Sequence, residues 1–152
     1  MGLFDWFENK KAQFWRDETA RTLFDADQRF SAEIKKKIAN NVLSRILFFL
    51  KEINNLLPKE KNNLIYKRVD EIAKERRQNI NEQQYNNPKW AEVAMTESYF
   101  NMYSGHFGKK LAKEAVMVIY WCRSQLTDKE INALVKKSGL SEDKIFGDSL
   151  HI

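Results

Sequence analysis

The chain has 152 residues, of which 43% are hydrophobic and 31% are charged, and its formal net charge is +5. These proportions are close to average globular usage, so the composition favours neither a disordered nor a membrane protein. No apolar run approaches the roughly 18 residues that span a membrane, and the N-terminus lacks the regions of a signal peptide. We therefore expect a cytoplasmic protein, and the abundance of asparagine, lysine and isoleucine suggests a bacterial or phage source.

Apolar residues recur at steps of three and four, without sustained alternation, and this pattern predicts helices throughout. The first helix is predicted over about 3–24, with a turn at 25–27. Ser31 is predicted to cap a second helix of about 32–57, which Pro58 ends.

A third helix is predicted over about 59–78, and its short connection makes it antiparallel to the second. These two helices form a predicted long central hairpin. The polar stretch 79–87 has no apolar face and is predicted to be an exposed loop. Any division of the single domain into sub-bundles, 1–78 and 88–152, falls at this loop.

The pair Asn87-Pro88 predicts the cap and first position of a fourth helix. The fifth helix, to about Gln125, is apolar nearly all round over 115–122, so we expect it in the core. Cys122 lies in that run, where a lone thiol is predicted to be a small core residue in a reducing compartment.

The last part of the chain holds the clearest helix boundary. Thr127 and Glu130 match the capping box, which opens a helix that stops at Ser138-Gly139. Ser141 is predicted to cap a final turn. The sequence thus predicts an all-α fold, a single-domain bundle of six to seven helices.

Residues for catalysis or metal binding are scarce. The two histidines, His106 and His151, are far apart in sequence, and Cys122 has no base near it in the chain. Zinc-ligand spacing and a nucleophile with its base are both missing from the sequence. We therefore expect no enzymatic activity, no metal and no cofactor.

One short segment has the composition of an anion site. Glycines at a helix start, followed by lysines, can bind an anion through free backbone amides and the helix dipole. The residues concerned are Gly105, His106, Gly108, Lys109 and Lys110. The alternative, which the pattern favours, is a kink between two helices with the lysines in solvent.

The basic surplus lies on the second and third helices, because residues 31–80 hold 12 basic and 6 acidic residues. A basic surface of this kind attracts phosphate or an acidic protein. The candidate basic face consists of Lys35, Lys36, Lys37, Lys74, Arg76 and Arg77. The alternative is pairing at helical spacing, but the groups 35–37 and 76–77 are expected to be uncompensated.

A second candidate face is aromatic and consists of Phe4, Trp6, Phe7 and Trp15. Such a face could lie in a membrane interface, dock into a partner's groove or close the protein's own core. Acidic and basic residues balance over 1–24, so no net charge attracts anionic lipid and a membrane surface is not expected. Core packing is the favoured role, since large aromatic side chains are usually buried.

These features favour a small non-enzymatic helical interaction protein, such as an inhibitor, an immunity-type protein or an adaptor. Its partner is expected to be another protein. The alternative is a nucleic-acid-associated protein that uses the basic helices of residues 31–80.

Overall fold

The computed structural model describes the backbone of residues 3–56, 58–81, 87–105 and 109–140. Side chains are described for these residues except 4–9, 11–12, 15–16, 58, 79–81, 102–105 and 109–116. Six α-helices and no strand occupy this part of the chain: α1 (Leu3–Arg29), α2 (Ala32–Asn54), α3 (Pro58–Asn81), α4 (Pro88–Gly105), α5 (Lys109–Gln125) and α6 (Asp128–Ser138). The predicted all-α bundle is confirmed. Within the described residues, each helix is too short or too polar to cross a membrane.

Two helices begin at the capping residues that the sequence predicts. Ser31 Oγ accepts a hydrogen bond from the Ile34 amide at 3.4 Å and starts α2. At the start of α6, Thr127 Oγ1 accepts from the Glu130 amide at 3.3 Å, and Glu130 Oε1 accepts from the Thr127 amide at 3.1 Å. Gly139 ends α6 with a φ of 77°, a left-handed conformation that glycine adopts without a steric penalty.

The predicted turn at 25–27 is wrong, because α1 continues through this segment. Ala26 and Phe30 belong to the hydrophobic core. Asp27 accepts a hydrogen bond from Trp121 Nε1 at 3.1 Å, which joins α1 to α5. These tertiary contacts outweigh the preference of aspartate for turns.

The connection between α2 and α3 is shifted relative to the prediction. Helix α2 ends at Asn54, and Pro58 starts α3 because proline lacks only an N–H that the first helical turn leaves unbonded anyway. Helix α3 includes residues 79–81, so it takes up the first part of the predicted loop 79–87. Residues 82–86 of that loop lie outside the described residues.

The central helix of the bundle is α4, which packs against α1, α2, α3 and α5. Residues 91–100 of this helix are all buried. Helices α2 and α3 both pack on α4 and are antiparallel, but they are not closely packed with each other. Two ion pairs bridge them instead, Arg45 with Glu75 at 3.5 Å and Arg68 with Glu52 at 3.1 Å. The centre of the fold is therefore α4 and not the hairpin.

Helix α5 contributes to the core as expected. Val118, Ile119, Trp121 and Cys122 are buried, whereas Tyr120 is 48% exposed. Among the described residues of this helix, Tyr120 is thus the one aromatic side chain that faces solvent.

The capping box of α6 is also tied to α2. Lys36 Nζ lies 3.0 Å from Glu130 Oε2, while Glu130 Oε1 accepts the hydrogen bonds of Thr127. The hydrogen bond from Lys36, followed by those from Thr127, lowers the pKa of Glu130 below its ordinary value of 4.5. A carboxylate with a lowered pKa stabilises the fold above its unfolded-state pKa, and that contribution is lost as the pH falls through its folded-state pKa.

We predict that Glu130→Gln is less stable than the wild type at neutral pH, because glutamine keeps a capping oxygen but loses the charge that binds Lys36. The difference in the free energy of unfolding should shrink as the pH falls below 4.5, the ordinary value for this carboxyl. Urea unfolding of both proteins across this range measures it. A difference that stays constant down to pH values well below 4.5 would contradict the role given to the carboxylate.

Candidate functional site

Two glutamates of the central helix α4 lie inside the bundle. Glu92 and Glu97 are 6% and 8% exposed. Arg45 from α2 contacts the carboxylate of Glu92 at 3.2 Å, and Arg76 from α3 contacts that of Glu97 at 2.9 Å. Asn41 Nδ2 also donates to Glu92 at 3.2 Å. Because a buried carboxylate without a partner is costly, these arginines hold α2 and α3 in position on α4.

The predicted basic face does not form one uncompensated surface. Three of its lysines contact acids at 3.7, 3.0 and 3.9 Å respectively: Lys35 with Asp27, Lys36 with Glu130 and Lys37 with Glu33. Arg76 turns inward to Glu97 and also contacts Glu18 at 3.6 Å. Lys74 and Arg77 are exposed on α3. The expectation that residues 35–37 and Arg76 are uncompensated is therefore wrong.

Helix geometry also places the basic residues of α2 on different sides of the helix. Lys36 and Arg45 differ by about 180° around α2, at about 100° per residue. Lys36 accordingly contacts α6, while Arg45 contacts α3 and α4. Because Arg76 turns inward to Glu97, a single nucleic-acid strand or acidic protein lying along α2 and α3 could not meet all six predicted residues.

The other two predicted sites cannot be compared with the structure. The side chains of Phe4, Trp6, Phe7 and Trp15 lie outside the described residues, and so does most of the predicted anion site: Gly105, His106, Gly108, Lys109 and Lys110. Both sites stay predictions. Elsewhere on α1, the side chains of Phe14 and Phe24 are 54% and 63% exposed.

The described residues include one thiol, that of Cys122, which is fully buried. Burial raises the pKa of this thiol well above its ordinary value and so disfavours the thiolate that a nucleophile needs. Within the described part of the chain, no group of three histidine, cysteine or acidic side chains could hold a metal ion.

A groove of about 310 Å³ lies between α2 and α3, where the two helices flank α4. Its floor is formed by Phe49 and Phe100, whose ring centroids are 4.2 Å apart, and by Ile72. Its walls carry paired charges: Arg45 contacts Glu75 at 3.5 Å and Arg68 contacts Glu71 at 3.2 Å. We call this the α2–α3 groove.

A second groove of about 200 Å³ lies between α2 and α6. We call it the α2–α6 groove, and its lining is Ser44, Leu47, Phe48, Lys51, Leu134, Lys137 and Ser138. Both Phe48 and Ser44 line the α2–α3 groove as well. Phe48 is 54% exposed and carries the Arg68 guanidinium 5.3 Å from its ring centroid. Phe48 and the two grooves are together called the Phe48 surface.

The Phe48 surface combines an exposed aromatic ring with two adjoining cavities. An exposed aromatic ring beside apolar cavities, with charges at the edge, is typical of the anchoring part of a protein interface. Phe48 is not among the candidate residues predicted from the sequence. The signal was the unbroken apolar run 46–50, since five consecutive helical positions must point in all directions around the axis.

The described residues thus form an all-α bundle with an exposed aromatic side chain between two grooves. Comparisons of the chain with protein-family models, with characterised proteins and with solved structures find no match.

We predict that Arg76→Ala lowers the free energy of unfolding by about 3 kcal/mol, because it leaves the buried Glu97 without its cation. The double variant Arg76→Met with Glu97→Met should recover much of this loss, since it removes both charges. Lys74→Ala, on the exposed side of α3, serves as the control and should change stability by no more than about 0.5 kcal/mol. Urea unfolding measures all three, and equal small effects of the two alanine variants would refute the inward placement of Arg76.

We also predict that Cys122 reacts with iodoacetamide only when the protein unfolds, because the thiol is buried and its pKa is raised. Mass spectrometry should show an unmodified native protein at pH 8 and complete alkylation in denaturant. Rapid alkylation under native conditions would show that the thiol is accessible.

Proposed function

We propose that this protein is a non-enzymatic interaction protein that binds another protein through the Phe48 surface. The observation that carries the proposal is the position of Phe48, a large aromatic side chain that is 54% exposed and lies between two cavities. Full burial of such a ring contributes roughly 1.5–3 kcal/mol of hydrophobic stabilisation, and a ring that is 54% exposed forgoes about half of this. A partner that covers the ring and fills the adjoining grooves recovers this free energy on binding.

The pairing of charges supports a protein partner over a nucleic acid. Neutralising phosphates requires a set of available cations on one surface. In this protein Lys35, Lys36 and Arg76 each contact an acid of another helix. Nucleic-acid binding by residues 31–80 therefore stays the second proposal, carried by fewer residues than the sequence suggested.

The identity of the partner would show whether this protein is an inhibitor, an immunity-type protein or an adaptor. An inhibitor or an immunity-type protein covers the active site of its target, whereas an adaptor joins two partners. We further propose a cytoplasmic location, supported by a chain that has one cysteine, buried in the core, in place of a disulfide framework.

Site-specific crosslinking tests the proposed binding surface. A photoreactive phenylalanine analogue is placed at Phe48 in the full chain, which is expressed and irradiated in its source cells. We predict that it captures one specific protein, which mass spectrometry identifies, because the ring at this position contacts the partner. The same analogue at Phe24, an exposed aromatic position on α1, is the matched control and should not capture that protein.

The crosslinking outcomes discriminate between the proposals. Capture of the same protein from both positions, or of none from Phe48, would contradict binding through the Phe48 surface. Capture of nucleic acid from position 48 or from Tyr66, which is 58% exposed among the basic residues of α3, would favour the second proposal.

A further inference from the structure

The α2–α6 groove has walls that are single stripes of two helices. Ser44, Leu47, Phe48 and Lys51 of α2 follow the spacing i, i+3, i+4 and i+7, and the α6 residues follow i, i+3 and i+4. The Leu47 side chain is 2% exposed at the base. The α2–α6 groove has a volume of about 200 Å³, below the roughly 300–1,000 Å³ of small-molecule sites. It therefore suits a side chain of a larger partner.

The charges of this groove differ from those of the α2–α3 groove. Lys51 and Lys137 are exposed, and neither contacts an acid among the described residues. In the α2–α3 groove, by contrast, the arginines contact Glu71 and Glu75. The α2–α6 groove therefore presents positive charge beside apolar surface, while its neighbour is internally neutralised.

Interaction with the helix dipoles explains why lysines occupy these two positions. It leaves their charges available to bind a partner. Lys51 and Lys137 lie in the last turns of α2 and α6, where a cation interacts favourably with the helix dipole. Such an interaction takes place in solvent and does not neutralise the ammonium group. Both lysines can still attract a carboxylate of a partner.

We infer that the α2–α6 groove binds an acidic amphipathic helix of the partner protein, with an apolar side chain against Leu47, Phe48 and Leu134 and carboxylates at Lys51 and Lys137. This inference rests on the proposed function and adds the chemistry of the partner. The α2 wall from Ser44 to Lys51 is about 10 Å long, at a rise of 1.5 Å per residue. That length matches about two turns of a helix laid in the groove.

The chain itself contains a competing segment of similar chemistry. Glu142, Asp143, Ile145 and Phe146 follow α6 in sequence and combine acidic with apolar residues. An experiment on the full chain must therefore separate an external helix from this segment.

Peptide binding to the full chain tests the inference. The probe is a fluorescent alanine-based helical peptide with leucines at i and i+4 and glutamates beside them, and a second peptide has lysines in place of the glutamates. We expect the acidic peptide to bind the wild type and Lys51→Glu with Lys137→Glu to weaken it about tenfold, through loss of two ion pairs and added repulsion. The lysine peptide should bind that double variant better than it binds the wild type.

A matched charge change on another face serves as the control. Lys67→Glu with Lys74→Glu alters the net charge equally on the exposed side of α3 and should leave the affinity for the acidic peptide within about twofold. Methyl NMR locates the peptide, with shifts expected at Leu47 and Leu134 but not at Ile72 of the α2–α3 groove.

Three results would overturn the inference: equal effects of the two double variants, peptide shifts at Ile72 alone, or contacts between the Leu134 methyls and the Phe146 ring in the free protein. The last result would assign the groove to the chain's own segment. Specific crosslinking from Phe48 combined with any of these would leave the binding function intact and reject only the acidic helix as its partner. If no specific protein is crosslinked from Phe48 but the acidic peptide binds as expected, the proposed function is rejected and the groove's preference for acidic helices is retained.

Discussion

Two carboxylates in the interior of the bundle determine how the helices around α4 are arranged. Glu92 and Glu97 lie in the stretch 91–100 of α4, where every residue is buried. Each contacts an arginine from a different neighbouring helix. Removing Arg76 would leave Glu97 without its cation, a change that costs several kcal/mol, whereas Glu92 also contacts Lys89 at 3.5 Å. The apolar core provides most of the driving force for collapse, but it is not directional. The two arginine–glutamate contacts are directional, because they require α2 to pack beside Glu92 and α3 to pack beside Glu97.

This arrangement explains why the protein has grooves. Helices α2 and α3 are both packed against α4 and not closely against each other, and the ion pairs Arg45–Glu75 and Arg68–Glu52 bridge the space between them. Phe48 lies on the side of α2 that α4 does not cover, between this space and the gap toward α6. The surface that we propose for partner binding therefore follows from the same ion pairs that position the central helix.

Local signals predicted the parts of the fold that depend on neighbours in sequence. The Ser31 cap and the Thr127–Glu130 capping box each involve residues three positions apart, and both were found where expected. The inward turn of Arg76 could not be predicted in this way, because its partner Glu97 is 21 positions away. A charged side chain on an amphipathic helix is ordinarily assigned to solvent, which also hid α4 as the central helix. Of the residues predicted for the basic face, Lys74 and Arg77 are exposed, whereas the Phe48 surface depends on the packing of four helices.

The distribution of charge along the chain has a structural meaning that differs from the one its sequence suggests. Residues 31–80 hold 12 basic and 6 acidic residues, a surplus typical of a surface that binds phosphate. Much of that surplus is matched by acids from other helices, through contacts of Lys35 with α1, Lys36 with α6, and Arg45 and Arg76 with α4. The basic segment thus joins the helices of the bundle electrostatically. Lys51 stands apart from this network, because its position at the end of α2 leaves it beside the apolar α2–α6 groove with no acid among the described residues. A cation left unmatched beside apolar surface is more informative about a partner than a large surplus that the fold itself neutralises.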